Sequence, residues 1–329
     1  MPNLQWLHFP DLGGGLNQGL SPAAIGANEM AELVNFYPYG TSLRRRGGNK
    51  RINADPWDST SSIVGASPLR KADGTNYLIV GNKTKFARLV GDAFQDLIMN
   101  ATPGANISQD LWDMVQYKDF LYAARFGAGP ARVLRIDGNS VSEAGIDAPT
   151  VVPVLSANGA GVMLEGDYQL VYTYANTATN YESSPSAASS VTLAAGGDSI
   201  DIVGMGVAAD PFVDVIRIYI TYPDQEDFYY FAYEGPTSTL SLNLDVALSA
   251  LGALANFNLD PPPAGIEFLE VWNERLWGAD KRFLYYSEQL KAEGFGGSSI
   301  INVSPDDGYD IRGIRRHGDR LIIGKTEKM

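Results

Sequence analysis

Apolar residues along the chain fall into short runs separated by polar turns, and one grammar of runs recurs. Each copy has an apolar strand, a two- or three-residue turn, a second strand, a variable loop and a third strand. The first copy uses residues 63–68, a turn at Asp73-Gly74, then 77–81 and 86–90. The second uses 111–117, a turn at Lys118-Asp119, then 120–124 and 133–136, closed by the hairpin-type pair Asp137-Gly138. The third uses 266–272, Asn273-Glu274, 275–279 and 283–286. The fourth starts at Ile311, turns at Gly318-Asp319 and continues through 320–324. Alternation with turn punctuation predicts antiparallel strands. The second strand of each copy ends in Gly or Ala, and a small residue there lets neighbouring sheets approach.

Antiparallel units of three or four strands at a spacing of ~40–45 residues predict β-propeller blades, with a generic antiparallel sandwich as the alternative. The copies occupy 56–149 and 266–329, enough for three to four blades at that spacing. A closed propeller takes at least about four. The expectation is therefore an open or incomplete propeller: a fragment, a curved sheet, or one completed by a neighbour. Between the two stretches lie residues 150–265, bounded by Pro149 and Pro153 on one side and Pro261-Pro262-Pro263 on the other. The triple proline predicts a stiff extended connector. Alternating strands at 168–174, 190–193, 199–202, 215–220 and 228–233 predict a seven-strand sandwich. Residues 1–55 are rich in Gly, Asn and Pro and lack long apolar patterns. They predict an extended docking arm, with one short helix over 27–34 capped by Asn28. The fold class expected is all-β: propeller-like sheets interrupted by an immunoglobulin/fibronectin-like sandwich and preceded by an arm.

Charge sharpens these boundaries. The chain of 329 residues carries −13, yet residues 150–265 hold thirteen acidic residues and one basic residue, Arg217. That segment is −12 and the remainder −1, a step that marks a separate domain. Apolar residues are 45% of the chain, enough for a sizeable core and too many for a disordered polymer. Cysteine is absent, which removes disulfides, thiolate metal sites and cysteine nucleophiles. No apolar run approaches ~18 residues, so no membrane-spanning segment is expected. The start MPNLQWLHFP lacks the basic-then-apolar order of a secretory signal.

Candidate chemistry is sparse. The two histidines, His8 and His317, fall in the arm and in a basic turn, too few for a His-rich metal site and poorly placed for a Ser/His/Asp triad. Gly13-Gly14-Gly15 lacks the Gly-Lys-Ser/Thr continuation of a phosphate loop. The pairs Glu226-Asp227 and Asp306-Asp307 are adjacent, so in a strand they face opposite sides and in a turn they face solvent. Residues 306–310 lack the length and terminal Glu of an EF-hand loop. No catalytic residue, cofactor or metal ligand is expected. Arg44, Arg45, Arg46, Lys50 and Arg51 stand out: five cations in eight residues on a Gly-containing stretch suit phosphates, or an acidic partner surface, with a solvated charge run as the bland reading. Arg312, Arg315 and Arg316 form a second basic spot, read as a local charged face. Tyr229, Tyr230, Phe231 and Tyr233 read as sandwich core and edge rather than a sugar platform.

Two resemblances rest on motifs in this chain. The run GDYQLVYTYANTATNYESSPSAASSVTL, with Glu182-Ser183-Ser184-Pro185-Ser186 and the later Ile216-Arg217-Ile218-Tyr219, resembles a fibronectin type III-like domain. That resemblance implies a spacer or adhesive module. Gly14-Gly15-Leu16-Asn17, Glu32-Leu33-Val34-Asn35, Leu43-Arg44-Arg45-Arg46-Gly47-Gly48 and the closing segments 303–308 and 319–325 occur in an order that resembles tailed-phage virion proteins. The nearest type is the propeller-containing tail nozzle, or tail-tubular, DNA-stabilising protein. It implies a non-enzymatic virion component made in the host cytoplasm. Its copies would form a homo-oligomeric ring below portal and adaptor, contacting other tail proteins, with non-specific DNA in the channel. The alternatives are a virion or secreted carbohydrate-binding adhesion protein and, third, a propeller glycosidase.

Overall fold

The computed structural model describes Gly15–Leu16, Ala24, Glu29–Met30, Phe36–Tyr39 and Ser42–Arg45 of the first 54 residues, then residues 57–58, 61–101, 111–126, 131–257, 259–305 and 307–326. The described residues are all-β, and the one helical element among them is a 3-10 turn at Leu248–Ala250. The chain divides into two compact units, Met1–Ala54 and Asp55–Met329.

In the first unit, β1 (Gly15–Leu16) and β2 (Glu29–Met30) pair in parallel, and β3 (Phe36–Tyr39) and β4 (Ser42–Arg45) form an antiparallel hairpin. Within the helix expected over 27–34, Glu29–Met30 form a strand, and the other six positions lie outside the described residues. Eight residues are too few to offset the cost of helix nucleation, and Glu29 and Met30 pair with β1 instead.

The second unit begins with a four-stranded antiparallel sheet: β5 (Gly65–Arg70), β6 (Asn76–Gly81), β7 (Phe86–Val90) and β8 (Ala93–Asp96). Next, β9 (Ile98–Met99) crosses to the outer edge of a second sheet, made of β10 (Leu111–Tyr117), β11 (Phe120–Phe126), β12 (Leu134–Ile136) and β13 (Ser140–Glu143). The turns sit where the sequence places them, with the backbone such turns require: Gly74 at φ 88°, Lys118 at 50° and Gly138 at 93°.

The chain then enters the acidic segment. Its strands are β14 (Val154–Met163), β15 (Gly166–Asn176), β16 (Tyr181–Glu182), β17 (Ser189–Leu193), β18 (Asp198–Val203), β19 (Val215–Ile220), β20 (Tyr230–Pro236) and β21 (Ser241–Leu244). One sheet runs β14-β18-β21. The other runs β16-β15-β19-β20, with β17 also on β15. Eight strands in sheets of three and five form the sandwich, against the seven expected. Ile216, Ile218 and Ile220 of β19 point inward to meet Ile200 and Ile202 of β18. Each such fully buried side chain contributes about 1.5–3 kcal/mol over exposure.

The last sheets are β22 (Phe268–Trp272), β23 (Arg275–Ala279), β24 (Phe283–Tyr286) and β25 (Ile300–Asn302), followed by the pair β26 (Ile311–His317) and β27 (Arg320–Lys325). The first strands of the four sheets lie side by side in chain order: β5 on β10, β10 on β22, β22 on β26. Each junction is stitched by a polar side chain taking a backbone N–H of its neighbour. Gln116 accepts from Arg70 N (3.0 Å), Asp113 from Leu269 N (2.9 Å) and Glu270 from Arg316 N (3.0 Å). No comparable contact returns from β26 to β5, so the propeller-like series is open. Small residues set the spacing. A Cβ on Gly65 or Gly81 would come within 3.0 Å of side chains around Trp112.

The core follows this order. One cluster fills the space between the first two sheets (Leu69, Ile79, Phe86, Trp112, Leu121) and another joins the last two (Trp277, Leu284, Ile311, Ile314). The largest runs without a break from Tyr122 through the sandwich to Leu269 and Leu276. The insert and the sheets on either side therefore share one core. The triple proline returns along this seam, with Pro262 buried and Pro261 packed against Gly145. Gly145 has φ 88°, and a Cβ there would lie 2.5 Å from the Pro261 Cβ. No helix among the described residues is long and apolar enough to cross a membrane.

Candidate functional site

The seam between sheets and sandwich is held by a buried charge. Glu293, in the loop after β24, is buried, as is Arg135 of β12. Arg135 Nη1 donates to Glu293 Oε2 at 2.6 Å, and Gly145 N donates to the same oxygen at 2.6 Å. The Tyr122 hydroxyl of β11 donates to Glu293 Oε1 at 2.8 Å and lies 3.4 Å from the Tyr181 hydroxyl of β16. Arg135 Nη2 reaches Ser142 Oγ (2.8 Å), and its guanidinium lies 3.4 Å from the Phe212 ring centroid. Two sheets and the sandwich thus meet at one ion pair whose remaining polar groups are bonded, the condition under which a buried pair is tolerated. Burial, then the Glu293 charge, pushes the Tyr122 hydroxyl well above the usual phenol value. The same causes push Tyr181 up to about 12. Both stay protonated: Tyr122 donates to the carboxylate, and the Tyr181 hydroxyl lies against that of Tyr122. Beside this node lies a cleft of about 350 Å³ lined by Arg132, Glu143, Asp147, Tyr174 and Asp210. Arg132 in it is bound by Asp147 (2.9 Å) and Glu143 (3.1 Å).

The sandwich's single cation is also committed. Arg217 lies between Glu182 (2.8 Å) and Glu234 (2.9 Å), and the Tyr219 hydroxyl donates to Glu182 at 2.6 Å. On the outer face of β15 and β17 is an open trough of about 510 Å³, lined by Asp167, Gln169, Ser190, Thr192, Asp224 and Glu226 among others.

Arg44 and Arg45 of the predicted basic stretch close β4, while Arg46, Lys50 and Arg51 lie outside the described residues. The second basic spot is distributed along β26. Arg315 forms a two-pronged pair with Asp113 of β10 (2.7 and 3.1 Å) and reaches Leu269 O (3.2 Å). Its hydrogen bond to Asp113 holds the guanidinium more firmly charged than usual. Arg312 lies 3.9 Å from Asp310. His317 is exposed at the end of β26, and His8 lies outside the described residues. Glu226 and Asp227 are exposed in the loop before β20. Asp307 is bound by Lys325 Nζ at 2.7 and 2.8 Å, and Asp306 lies outside the described residues. Tyr229, Tyr230, Phe231 and Tyr233 are half-buried, and Phe231 and Tyr229 pack near Tyr219 and Phe257. Among the described residues, no three His, Asp or Glu side chains gather as a metal group.

Sequence reasoning missed the Arg135–Glu293 pair, whose partners are 158 positions apart. The available signal was a charge amid apolar neighbours: Leu134, Arg135 and Ile136 are all buried. No protein-family model matches the chain, and no curated protein matches it in sequence.

Proposed function

We propose that the chain is a structural subunit of a phage tail, a nozzle or hub whose copies form a ring below the portal and adaptor and conduct the genome through a central channel. The observation that carries this reading is the open series of four sheets, stitched strand to strand through Gln116, Asp113 and Glu270. An arc that does not close on itself presents two ends to neighbours, the geometry from which rings are built. The shared core and the Arg135–Glu293 node favour the same reading, because they fix the acidic sandwich at one angle to the arc. A wall carrying excess negative charge lets DNA slide, since it offers few cations for phosphates to pair with. Purified protein imaged in negative stain should form rings of fixed copy number around a central opening. A monomer that stays monodisperse at high concentration would overturn the proposal.

A further inference from the structure

We infer that the outer face of β15 and β17 is a docking surface for the basic segment 44–51 of a second copy of this chain. The inference deepens the ring proposal and rests on it, since a ring sets one copy beside the next.

The face is built by strand alternation. Tyr168, Leu170 and Leu193 turn into the core, so Asp167, Gln169, Ser190 and Thr192 stand on the opposite side. The loop after β19 is folded against them. Asp224 N donates to Asp167 O (2.8 Å), and Asp167 N donates to Asp224 Oδ1 (2.9 Å). This sets Asp167, Asp224 and Glu226 along one trough of about 510 Å³, and no Lys or Arg among the described residues lines it. Arg217, the sandwich's one basic residue, is taken by Glu182 and Glu234. The same loop adds aromatic surface. Tyr229 donates to Gln169 Oε1 (2.7 Å), the Tyr222 and Tyr230 rings lie 4.4 Å apart, and Phe228 is 55% exposed.

Carboxylates beside aromatic rings are the setting a guanidinium prefers, through charge-assisted hydrogen bonds and stacking on the ring face. The chain already seats Arg135 in this way, between Glu293 and the Phe212 ring. Charge selects the occupant. Residues 44–51 carry five cations, and the module that bears the trough carries −12. That module repels nucleic acid and repels its own copies. Neighbouring sandwiches in a ring therefore need a cationic element between them, and Arg44, Arg45, Arg46, Lys50 and Arg51 supply it. An extended run of eight residues spans about 27 Å.

The absence of cysteine makes the test clean. Two preparations of the full chain, Ser190→Cys and Asn49→Cys, are mixed and oxidised, then run on a non-reducing gel. The expected result is a mixed dimer about tenfold more abundant than that from the control pair Ala93→Cys with Asn49→Cys. Adding Asp167→Asn, Asp224→Asn and Glu226→Gln to the Ser190→Cys chain should remove the excess. A yield equal to the control, or one unchanged by neutralising the trough, overturns the inference. So does a chain carrying both cysteines that cross-links only within itself. Imaging the same preparations separates the two claims. Rings without the cross-link remove this inference and leave the ring proposal standing; a lack of rings removes the ring proposal itself.

Discussion

At the residue scale, the account turns on Glu293. Its carboxylate takes bonds from Arg135, Gly145 and Tyr122 in a site that admits almost no water. Removing its charge leaves the guanidinium of Arg135 buried with Asp210, 3.9 Å away, as its only carboxylate among the described residues. Glu293→Gln should therefore destabilise the protein by about 3 kcal/mol, and replacing Arg135 by Met as well should recover part of that loss. Urea unfolding of the single and double variants measures both; a loss under about 1 kcal/mol for the single variant would show that the node is not a structural lock. The only trace of this in the sequence is the charge of Arg135 between two apolar residues, because a strand pattern cannot pair it with a loop 158 positions away. The exposed cations were easier to read. Arg315 and Arg316 do lie on one strand, though Asp113, which pairs with the Arg315 guanidinium, and Glu270, which accepts from the Arg316 backbone N–H, belong to two other sheets.

At the element scale, turns and central strands were the legible part. Asp73-Gly74, Lys118-Asp119, Asn273-Glu274 and Gly318-Asp319 all join the first and second strands of a sheet, because local backbone preference decides such turns. Strands made by partners were not legible. β14 reads VLSANGAGVM, small and polar with two glycines, and is a strand because β18 pairs with it. The short helix failed for the converse reason: a local pattern lost to a pairing it could not reveal. The last sheet also carries a pH dependence. Lys325 of β27 holds the Asp307 carboxylate below its ordinary value of 3.8, chiefly through their hydrogen bond, with the Tyr309 N–H next. A depressed folded value adds stability above the ordinary value and loses it as pH falls through the depressed one. Asp307→Asn should thus weaken the protein at pH 7 and match it at a pH below the depressed value. A gap between the two proteins that persists in acid would contradict this.

At the scale of the whole molecule, composition separates what packing joins. The step from −1 to −12 at residue 150 marks a compositional border, yet the core passes through it from Tyr122 to Ile218 to Leu276. Residues 55–329 should accordingly unfold in a single calorimetric transition, with calorimetric and van't Hoff enthalpies equal; two resolved transitions would mean that the sandwich melts alone. That rigidity matters for the proposed role, since a ring can hold a channel open only if each subunit keeps one shape. The order of the four sheets was foreshadowed by the repeat, whereas the stitches between them needed the three-dimensional register. The measurement that bears most directly on the proposed ring is a symmetry-resolved reconstruction of the phage tail proposed to hold this protein. The account predicts that residues 55–329 fit as one rigid body, in a ring on the tail axis below the portal and adaptor, with duplex density in its channel. Finding the chain as isolated copies away from that axis would contradict it.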